Sequence, residues 1–274
     1  MKLYISADIE GIAGVASRDQ GGPENFDYDN GRKWMTGEVR AACEGAVEAG
    51  VSEILISDSH GNGQNLLIDD LPDDVRVIRS WPRPLGMMEG IQEGGFDAVM
   101  FIGYHAGATN TGGNLAHTLY GLSIRRIRIN GEIAAEGYIS AATAGDFDVP
   151  IALITGDDVF VEESREYLGD VEAVVTKQAL GTLSVNTISP TKSRELIRAA
   201  ATKSIKRLKD FSPLKVSAPV KLEVCFKHRL PAELLDYLPI VNRTEAFTVE
   251  YTAEDMSDAN RFLSFITSYE PTLL

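Results

Sequence analysis

The sequence predicts an α/β fold with a mostly parallel central sheet flanked by helices, followed by a smaller C-terminal α+β lobe. Strand-like apolar runs alternate with helical patterns up to about residue 176, which is typical of a parallel sheet. One run, residues 98–104, is apolar throughout, as expected for a central strand covered on both faces. After residue 208 the pattern changes to segments typical of antiparallel strands, at 215–226 and 246–253, with a closing helix predicted over 255–269.

The first part of the chain supplies its elements in a regular order. Apolar or β-branched runs predict strands over residues 2–7, 53–57, 75–78 and 98–104. Between the first two, apolar residues recur near helical spacing over 30–49, and Gly50 follows where a helix-ending glycine belongs. A brief helix is predicted over 87–92, ended by Gly94 and Gly95.

The middle of the chain continues this alternation after a hairpin. Residues 119–133 alternate in polarity and contain Asn130-Gly131, a strong hairpin signal. Small residues over 134–144 predict a helix packed closely on the sheet, and Pro150 opens a strand over 151–155. Further helices are predicted from Asp157 to Tyr167 and over 193–208. We therefore expect a core over residues 1–190 and a C-terminal lobe over 191–274 packed on the same core.

The net charge argues against nucleic-acid-binding and membrane-binding proteins. The 274 residues include 26 Lys or Arg and 40 Asp or Glu, a formal net charge of −14. A field of that sign repels phosphate backbones and anionic lipid, so neither nucleic acid nor a membrane is an expected partner. Lys and Arg outnumber acidic residues over 192–229. We interpret that stretch as a solvated helix face opposite acidic neighbours, an anion or nucleic-acid patch being the alternative.

The two cysteines indicate the cellular compartment of the protein. Cys43 and Cys225 both lie in apolar segments. We interpret them as reduced core thiols in a cytoplasmic protein, with a disulfide as the less favoured alternative.

Acidic and histidine side chains follow three of the predicted strands. Asp8 and Glu10 follow the first strand, His60 follows the second, and His105 follows the strand over 98–104. Ligands of open α/β sheets bind outside the carboxyl ends of the strands, so these residues form a candidate metal-ligand set. Imidazole with carboxylate favours zinc, with manganese or cobalt as alternatives, and the excess of carboxylates indicates two metals that share one carboxylate.

Three further polar residues have weaker signals. Asp58 is either an acceptor for an imidazole N–H or a turn-forming residue, and the sequence leaves both open. His117, taken alone, is a single histidine in an alternating segment, where a structural role is more common than a catalytic one. His228 stands beside Lys227 and Arg229 and is predicted to lie on the surface.

Several motifs in order resemble the D-aminopeptidase DppA family, the M55 metallopeptidases. They are MKLYISADIEGIAG, ISDSHG, FIGYHA, AHTLYG and AEG-x-x-x-A-x-x-AG-x-FDVP. The likeness runs from residue 1 to about residue 190 and continues more thinly to the C-terminus. It implies a dinuclear zinc centre, hydrolysis of N-terminal D-residues such as D-Ala from short peptides, and a homodecamer of two stacked pentameric rings around a channel.

The resemblance also assigns individual residues. It places the metal ligands at Asp8, Glu10, His60, His105 and Glu136, with Asp8 bridging the two ions. Glu10 and His60 would complete one site, and His105 and Glu136 the other. The catalytic histidine falls on His117, as general acid/base or as donor to an oxyanion.

Two loops, 17–29 and 107–115, depart from the family pattern and flank candidate ligands, so we expect them to affect substrate choice. A preference for the D-hand rests wholly on the resemblance. Two alternatives stay open: a dinuclear metallohydrolase for another small amide or a phosphate ester, and a non-catalytic metal-binding ring scaffold.

Overall fold

The structure, a computed structural model, describes residues 1–269. The strands within this range are β1 Lys2–Ala7, β2 Glu53–Asp58, β3 Val75–Ile78, β4 Ala98–Tyr104, β5 Ile124–Ile129, β6 Glu132–Ile133, β7 Ile151–Asp157, β8 Glu172–Gly181, β9 Ser184–Thr187, β10 Val220–Phe226, β11 Val241–Glu245 and β12 Thr248–Ala253. The helices are α1 Tyr28–Glu48, α2 Glu136–Asp146, α3 Asp158–Leu168, α4 Pro190–Lys206, α5 Arg229–Leu235 and α6 Met256–Ser268.

The central sheet has the order β3-β2-β1-β4-β7-β8-β9 and is parallel except for β9, which pairs antiparallel with β8. Alternate residues of β1 point to opposite faces, as the period of a strand requires. Leu3 and Ile5 pack in one core with Met35 of α1, whereas Tyr4 packs in a second core with Phe160 of α3. The predicted sheet with helices on both faces is confirmed.

A second sheet, with the order β11-β12-β10-β5-β6, is antiparallel throughout. Residues 124–133 supply two of its strands, so it draws on both sides of residue 190. Helices α2 and α6 pack against it in a third core, through Ile139 and Leu263. Helix α2 also contributes Ala141 and Ala144 to the core beneath the central sheet, so it joins the two sheets. The predicted antiparallel C-terminal part is confirmed, and the division of the chain at residue 190 stays a prediction.

Three predicted elements show the clearest differences in extent or type. Residues 87–92 form parts of two 3₁₀ turns rather than one helix, because Gly90 adopts a φ of +94° between them. The strand predicted over 215–226 begins at Val220, directly after Pro219, which has no N–H to pair. In the predicted alternating segment 119–133, residues 119–123 are loop and the Asn130-Gly131 hairpin joins β5 to β6.

The basic stretch over 192–229 faces acidic neighbours, in agreement with the interpretation above. Arg198 lies 3.1 Å from Glu44 of α1, and Lys203 lies 2.9 Å from Glu172 of β8. Both cysteines are free and buried. None of the helices within the described residues combines the length and the apolar composition needed to cross a bilayer.

Candidate metal centre

The carboxyl ends of three neighbouring strands bring the predicted ligands together. His60 Nδ1 lies 3.1 Å from Asp8 Oδ1 and 2.9 Å from Glu10 Oε2. His105 Nε2 lies 3.5 Å from both Asp8 Oδ2 and Glu136 Oε1. Asp8 therefore lies between the two histidines and faces both. Glu136, the first residue of α2, reaches the cluster from the helix that joins the two sheets.

Two glycines allow the ends of β1 and β4 to approach this closely. A Cβ on Gly11 would lie 1.9 Å from the carbonyl oxygen of Tyr104. Gly103 adopts a φ of +76°, and a Cβ there would lie 2.3 Å from the carbonyl oxygen of Asp8. Any larger residue at either position would push apart the strand ends that carry Asp8 and His105.

The three histidines of the cluster are oriented in the same way, each by a backbone carbonyl. His105 Nδ1 donates to the carbonyl of Ala106 at 2.9 Å, and His117 Nδ1 donates to that of Leu115 at 2.8 Å. His60 Nε2 donates to the carbonyl of Gly21. Since a carbonyl only accepts, a proton lies on that ring nitrogen, and the other ring nitrogen faces the carboxylates and is the atom that could ligate a metal. Metal-ligating histidines are held in this manner.

Two buried polar atoms of the cluster have no hydrogen-bond partner. They are Asp8 Oδ2 and His105 Nε2. Buried polar atoms are almost always paired, so two partnerless atoms in one cluster call for a missing ligand. Three overlapping sets of side chains bring their ligand atoms within 4.8 Å of one another: Asp8, Glu10 and His60; Asp8, His105 and Glu136; Glu10, His105 and His117. This nitrogen and oxygen donor set fits zinc.

The electrostatics of the cluster favour a cation. Burial, together with the nearby charge of Glu10, raises the pKa of Asp8 to about 7. Burial opposes the charged imidazolium, but Glu10 beside His60 and Glu136 beside His105 hold the pKa of both histidines well above the usual value. Because the carboxylates stabilise positive charge this strongly, their negative charges would balance the charge of a divalent cation bound among them.

His117 occupies a different position from the other histidines. It lies on a loop, not in the strand that the alternating pattern suggested. Its ring stacks on His105 with centroids 4.1 Å apart and planes 6° from parallel. Its side chain is 29% exposed, against 1% for His105. Its Nε2 lies 3.8 Å from both Glu10 Oε1 and Glu136 Oε1. His117 is therefore the histidine of the cluster most open to a bound molecule.

Two residues that the sequence analysis did not single out hold the loop that carries Glu10. The Nζ of Lys177, a fully buried lysine in β8, donates to the carbonyls of Glu10 and Val15. Glu38 of α1 accepts from the backbone N–H of Ala13 at 3.0 Å. Lys177 stands inside the strand-like run VVTKQAL, and a lysine in such an apolar run is the signal that could have identified it.

Asp58 and His228 lie outside the cluster. The Asp58 carboxylate accepts from the backbone N–H of Asn65 at 2.6 Å, from the Asn65 side-chain amide at 2.7 Å and from the N–H of Leu66 at 2.8 Å. The turn-forming interpretation of Asp58 is therefore correct, since its carboxylate holds a loop and not an imidazole. His228 is exposed and directly precedes α5.

A cavity of about 450 Å³ opens beside the cluster. Asp8, His60, His117 and Glu136 line one end, and its other walls come largely from apolar side chains. A parallel sheet with buried histidines and carboxylates at its carboxyl edge, next to a cavity, is typical of an α/β metalloenzyme.

Comparisons with known proteins show which family of metalloenzymes this chain belongs to. The sequence matches the M55 peptidase family, described as D-aminopeptidase, over residues 1–265, and the chain belongs to this family. The D-aminopeptidase of Bacillus subtilis (strain 168) is 30% identical over 268 residues, which are 97% of this chain and 97% of the relative. The family resemblance drawn from the sequence is confirmed.

A solved structure agrees with this result. It is the Zn-dependent D-aminopeptidase DppA from Bacillus subtilis, a self-compartmentalizing protease. It superimposes with a TM-score of 0.93 at 29% identity and covers 97% of each chain. The predicted fold class is confirmed by this match as well.

Proposed function

We propose that this protein is a zinc-dependent metallo-aminopeptidase that hydrolyses N-terminal D-amino acids, such as D-Ala, from short peptides. Family membership over nearly the whole chain supports the aminopeptidase activity. The similarity to a Zn-dependent D-aminopeptidase supports both the metal and the D-hand. The observation that carries the proposal is the buried cluster of partnerless carboxylate and imidazole atoms beside a cavity.

We assign two zinc ions to this cluster. Asp8, Glu10 and His60 would hold one ion, and Asp8, His105 and Glu136 the other, with Asp8 shared. The two sets each bring their ligand atoms within 4.8 Å, and Asp8 belongs to both. When bound, the ions supply Lewis acidity toward the scissile carbonyl and lower the pKa of water.

His117 lies outside the proposed ligand set and would move protons during the reaction. The His117 Nδ1 proton is held by the Leu115 carbonyl, so Nε2 is the atom that exchanges a proton. From its partly exposed position it can protonate the leaving amine or donate to the oxyanion.

The charge around the cavity favours a peptide over a phosphate ester. Among the described residues that line it there is no Lys or Arg. A phosphate group would therefore find no cationic side chain beside the metal ions to bind it.

We propose a homodecamer of two stacked pentameric rings for the assembly. The self-compartmentalizing relative, which this chain matches over 97% of its length, supports a closed ring. Exposed apolar side chains, including Phe26 and the β8–β9 hairpin residues Leu180 and Leu183, would be covered in such an assembly. Light scattering should give a mass near ten chains, and a clean monomer would contradict the assembly.

We also propose a cytoplasmic location, which the two free, buried thiols support.

The test of the activity is a paired substrate assay. We expect hydrolysis of D-alanine p-nitroanilide in preference to the L-form, loss of turnover with a chelator and recovery with zinc. Turnover of p-nitrophenyl phosphate alone would favour the alternative of a dinuclear metallohydrolase for a phosphate ester. Turnover of none of these substrates by zinc-loaded protein would favour the other alternative, a non-catalytic metal-binding ring scaffold.

A further inference from the structure

We infer that the cavity beside the cluster accepts an apolar side chain larger than a methyl group from the N-terminal residue of the substrate. D-Leu and D-Phe would then be better N-terminal residues than D-Ala. This inference rests on the proposed function, because it names the substrate class of the same site.

The walls of the cavity away from the cluster are built from apolar side chains of three segments. Leu85, Met87 and Met88 come from the segment that includes the 3₁₀ turn Gly86–Met88. Ile139 comes from α2 and Leu263 from α6. In an aminopeptidase the scissile carbonyl belongs to the N-terminal residue. We place the side chain of this residue against these walls, with the scissile carbonyl at the metal cluster.

The cavity is also much larger than an alanine side chain needs. Its volume is about 450 Å³, and a methyl group would leave most of the apolar wall uncovered. Each methylene that fills a hydrophobic pocket typically changes kcat/KM by about 10-fold to 200-fold. A leucine or phenylalanine side chain would gain this contact.

Charge limits the same position to uncharged side chains. A negatively charged side chain that points toward the apolar walls would lose its hydration there and would find no Lys or Arg among the described lining residues. We therefore expect strong discrimination against D-Glu and D-Asp.

The apolar wall is fixed in place rather than formed on binding. The backbone carbonyl of Met87 accepts from the hydroxyl groups of Tyr4 at 3.2 Å, Ser6 at 3.1 Å and Ser59 at 3.1 Å. These donors belong to β1 and to the residue directly after β2, the elements that carry the metal-ligand candidates. The Asn260 side-chain amide of α6 donates to Thr143 of α2 at 2.5 Å, which joins the two helical walls. Preformed pockets of this kind select substrates by shape.

The test compares kcat/KM of the zinc-loaded full chain on p-nitroanilides of D-Ala, D-Leu, D-Phe and D-Glu, which share one leaving group. We expect D-Leu or D-Phe to exceed D-Ala by about 10-fold or more. We expect D-Glu to fall below D-Leu by about 100-fold or more. A kcat/KM for D-Ala equal to or above that for D-Leu and D-Phe would overturn the inference.

A pair of variants on α6 tests the wall itself. Leu263→Ala removes a lining side chain, while Ile266→Ala removes a similar volume from the same helix at a position that does not line the cavity. The ratio of kcat/KM for D-Leu to that for D-Ala cancels the fraction of folded enzyme. We expect this ratio to fall by about 10-fold in Leu263→Ala and to stay at the wild-type value in Ile266→Ala. Equal ratios in both variants would overturn the inference.

A binding measurement separates this inference from the proposed function. If D-Ala alone is cleaved, the proposed function stands and the inference fails. If no substrate is cleaved, the proposed function fails. Calorimetry with D-leucinamide and D-alaninamide on zinc-loaded protein then still decides the inference. About 10-fold tighter binding of D-leucinamide supports it, and equal affinities contradict it.

Discussion

Two aspartates at the ends of neighbouring parallel strands show how differently the same residue type can be used. Asp8 follows β1 and Asp58 ends β2, and their side chains are both buried, at 2% and 0% exposure. The Asp58 carboxylate receives three N–H groups of Asn65 and Leu66. Asp8 Oδ1 accepts from the N–H of Ile9 at 2.8 Å, but its Oδ2 has no hydrogen-bond partner.

A position at the end of a strand therefore does not by itself make an aspartate a metal ligand. A carboxylate whose acceptor positions are filled by backbone N–H groups holds a loop in place. A carboxylate with a buried free oxygen that faces histidines is available to a metal, at a cost to the stability of the metal-free fold.

The largest effect is expected from Asp8→Ala. Because Asp8 would be shared by both ions, we expect kcat/KM to fall by roughly 10³-fold or more, the scale of losing Lewis-acid catalysis. The melting temperature of the chelator-treated variant, measured beside that of the chelator-treated wild type, separates loss of the metal from loss of the fold. Wild-type kcat/KM in this variant would remove Asp8 from the site.

His117→Ala tests the histidine that lies outside the assigned ligand set. We expect kcat to fall by roughly 10²-fold to 10⁴-fold, the scale of acid–base assistance, with zinc content and melting temperature unchanged. His228→Ala, which alters an exposed histidine outside the cluster, is the control. Loss of zinc along with activity would show that His117 is a ligand, and near-normal kcat would exclude it from the mechanism.

Asp58→Asn should show the opposite profile to Asp8→Ala. An asparagine amide offers one acceptor oxygen and would turn N–H groups toward those of Asn65 and Leu66. We expect a loss of about 1–3 kcal/mol in the free energy of unfolding, measured by chemical denaturation. Zinc content and kcat per folded molecule should stay near wild type. Unchanged stability together with lost zinc would show that Asp58 acts at the metal site and not in holding the loop.

Glu38 is a third buried carboxylate, which has a free oxygen, Oε2, but no histidine in hydrogen-bond contact. Burial raises its pKa from 4.5 to about 7, despite hydrogen bonds from the Ala13 N–H and Ser193. The folded state therefore holds a proton that the unfolded state releases near pH 4.5. Its contribution to stability is complete below that pH and is lost as pH rises through about 7.

Glu38→Gln removes this titration. Between pH 5 and 7 we expect the free energy of unfolding of the wild type to fall relative to the variant by about 1 kcal/mol per pH unit. Denaturation curves of both proteins at several pH values measure this slope. Identical slopes would show that Glu38 is ionised in the folded protein throughout that range.

The sequence was sufficient for the sheet and for part of the cluster. Buried parallel strands are continuous apolar runs, so β1, β2, β4 and β7 are visible as such, and the side chains that follow three of them are Asp8, Glu10, His60 and His105. The positions directly after strands in the sequence therefore identified these four ligand candidates.

The other features depend on contacts between distant parts of the chain. Glu136 begins a helix like many other glutamates, and only the family resemblance singled it out. The role of Asp58 depends on where the loop at Asn65 folds back. Lys177 is distant in sequence from the loop that it holds, at Glu10. No local pattern encodes such a contact.

A centre of two zinc ions that share Asp8 can be counted. The measurement is elemental analysis of protein that is stripped with a chelator, reloaded with zinc and desalted, with Asp8→Ala and Asp58→Asn treated in parallel. We expect about two zinc ions per chain in the wild type and in Asp58→Asn, and fewer in Asp8→Ala. A single tightly held ion per wild-type chain would contradict the dinuclear centre, and no retained zinc would contradict the account of the site as a whole.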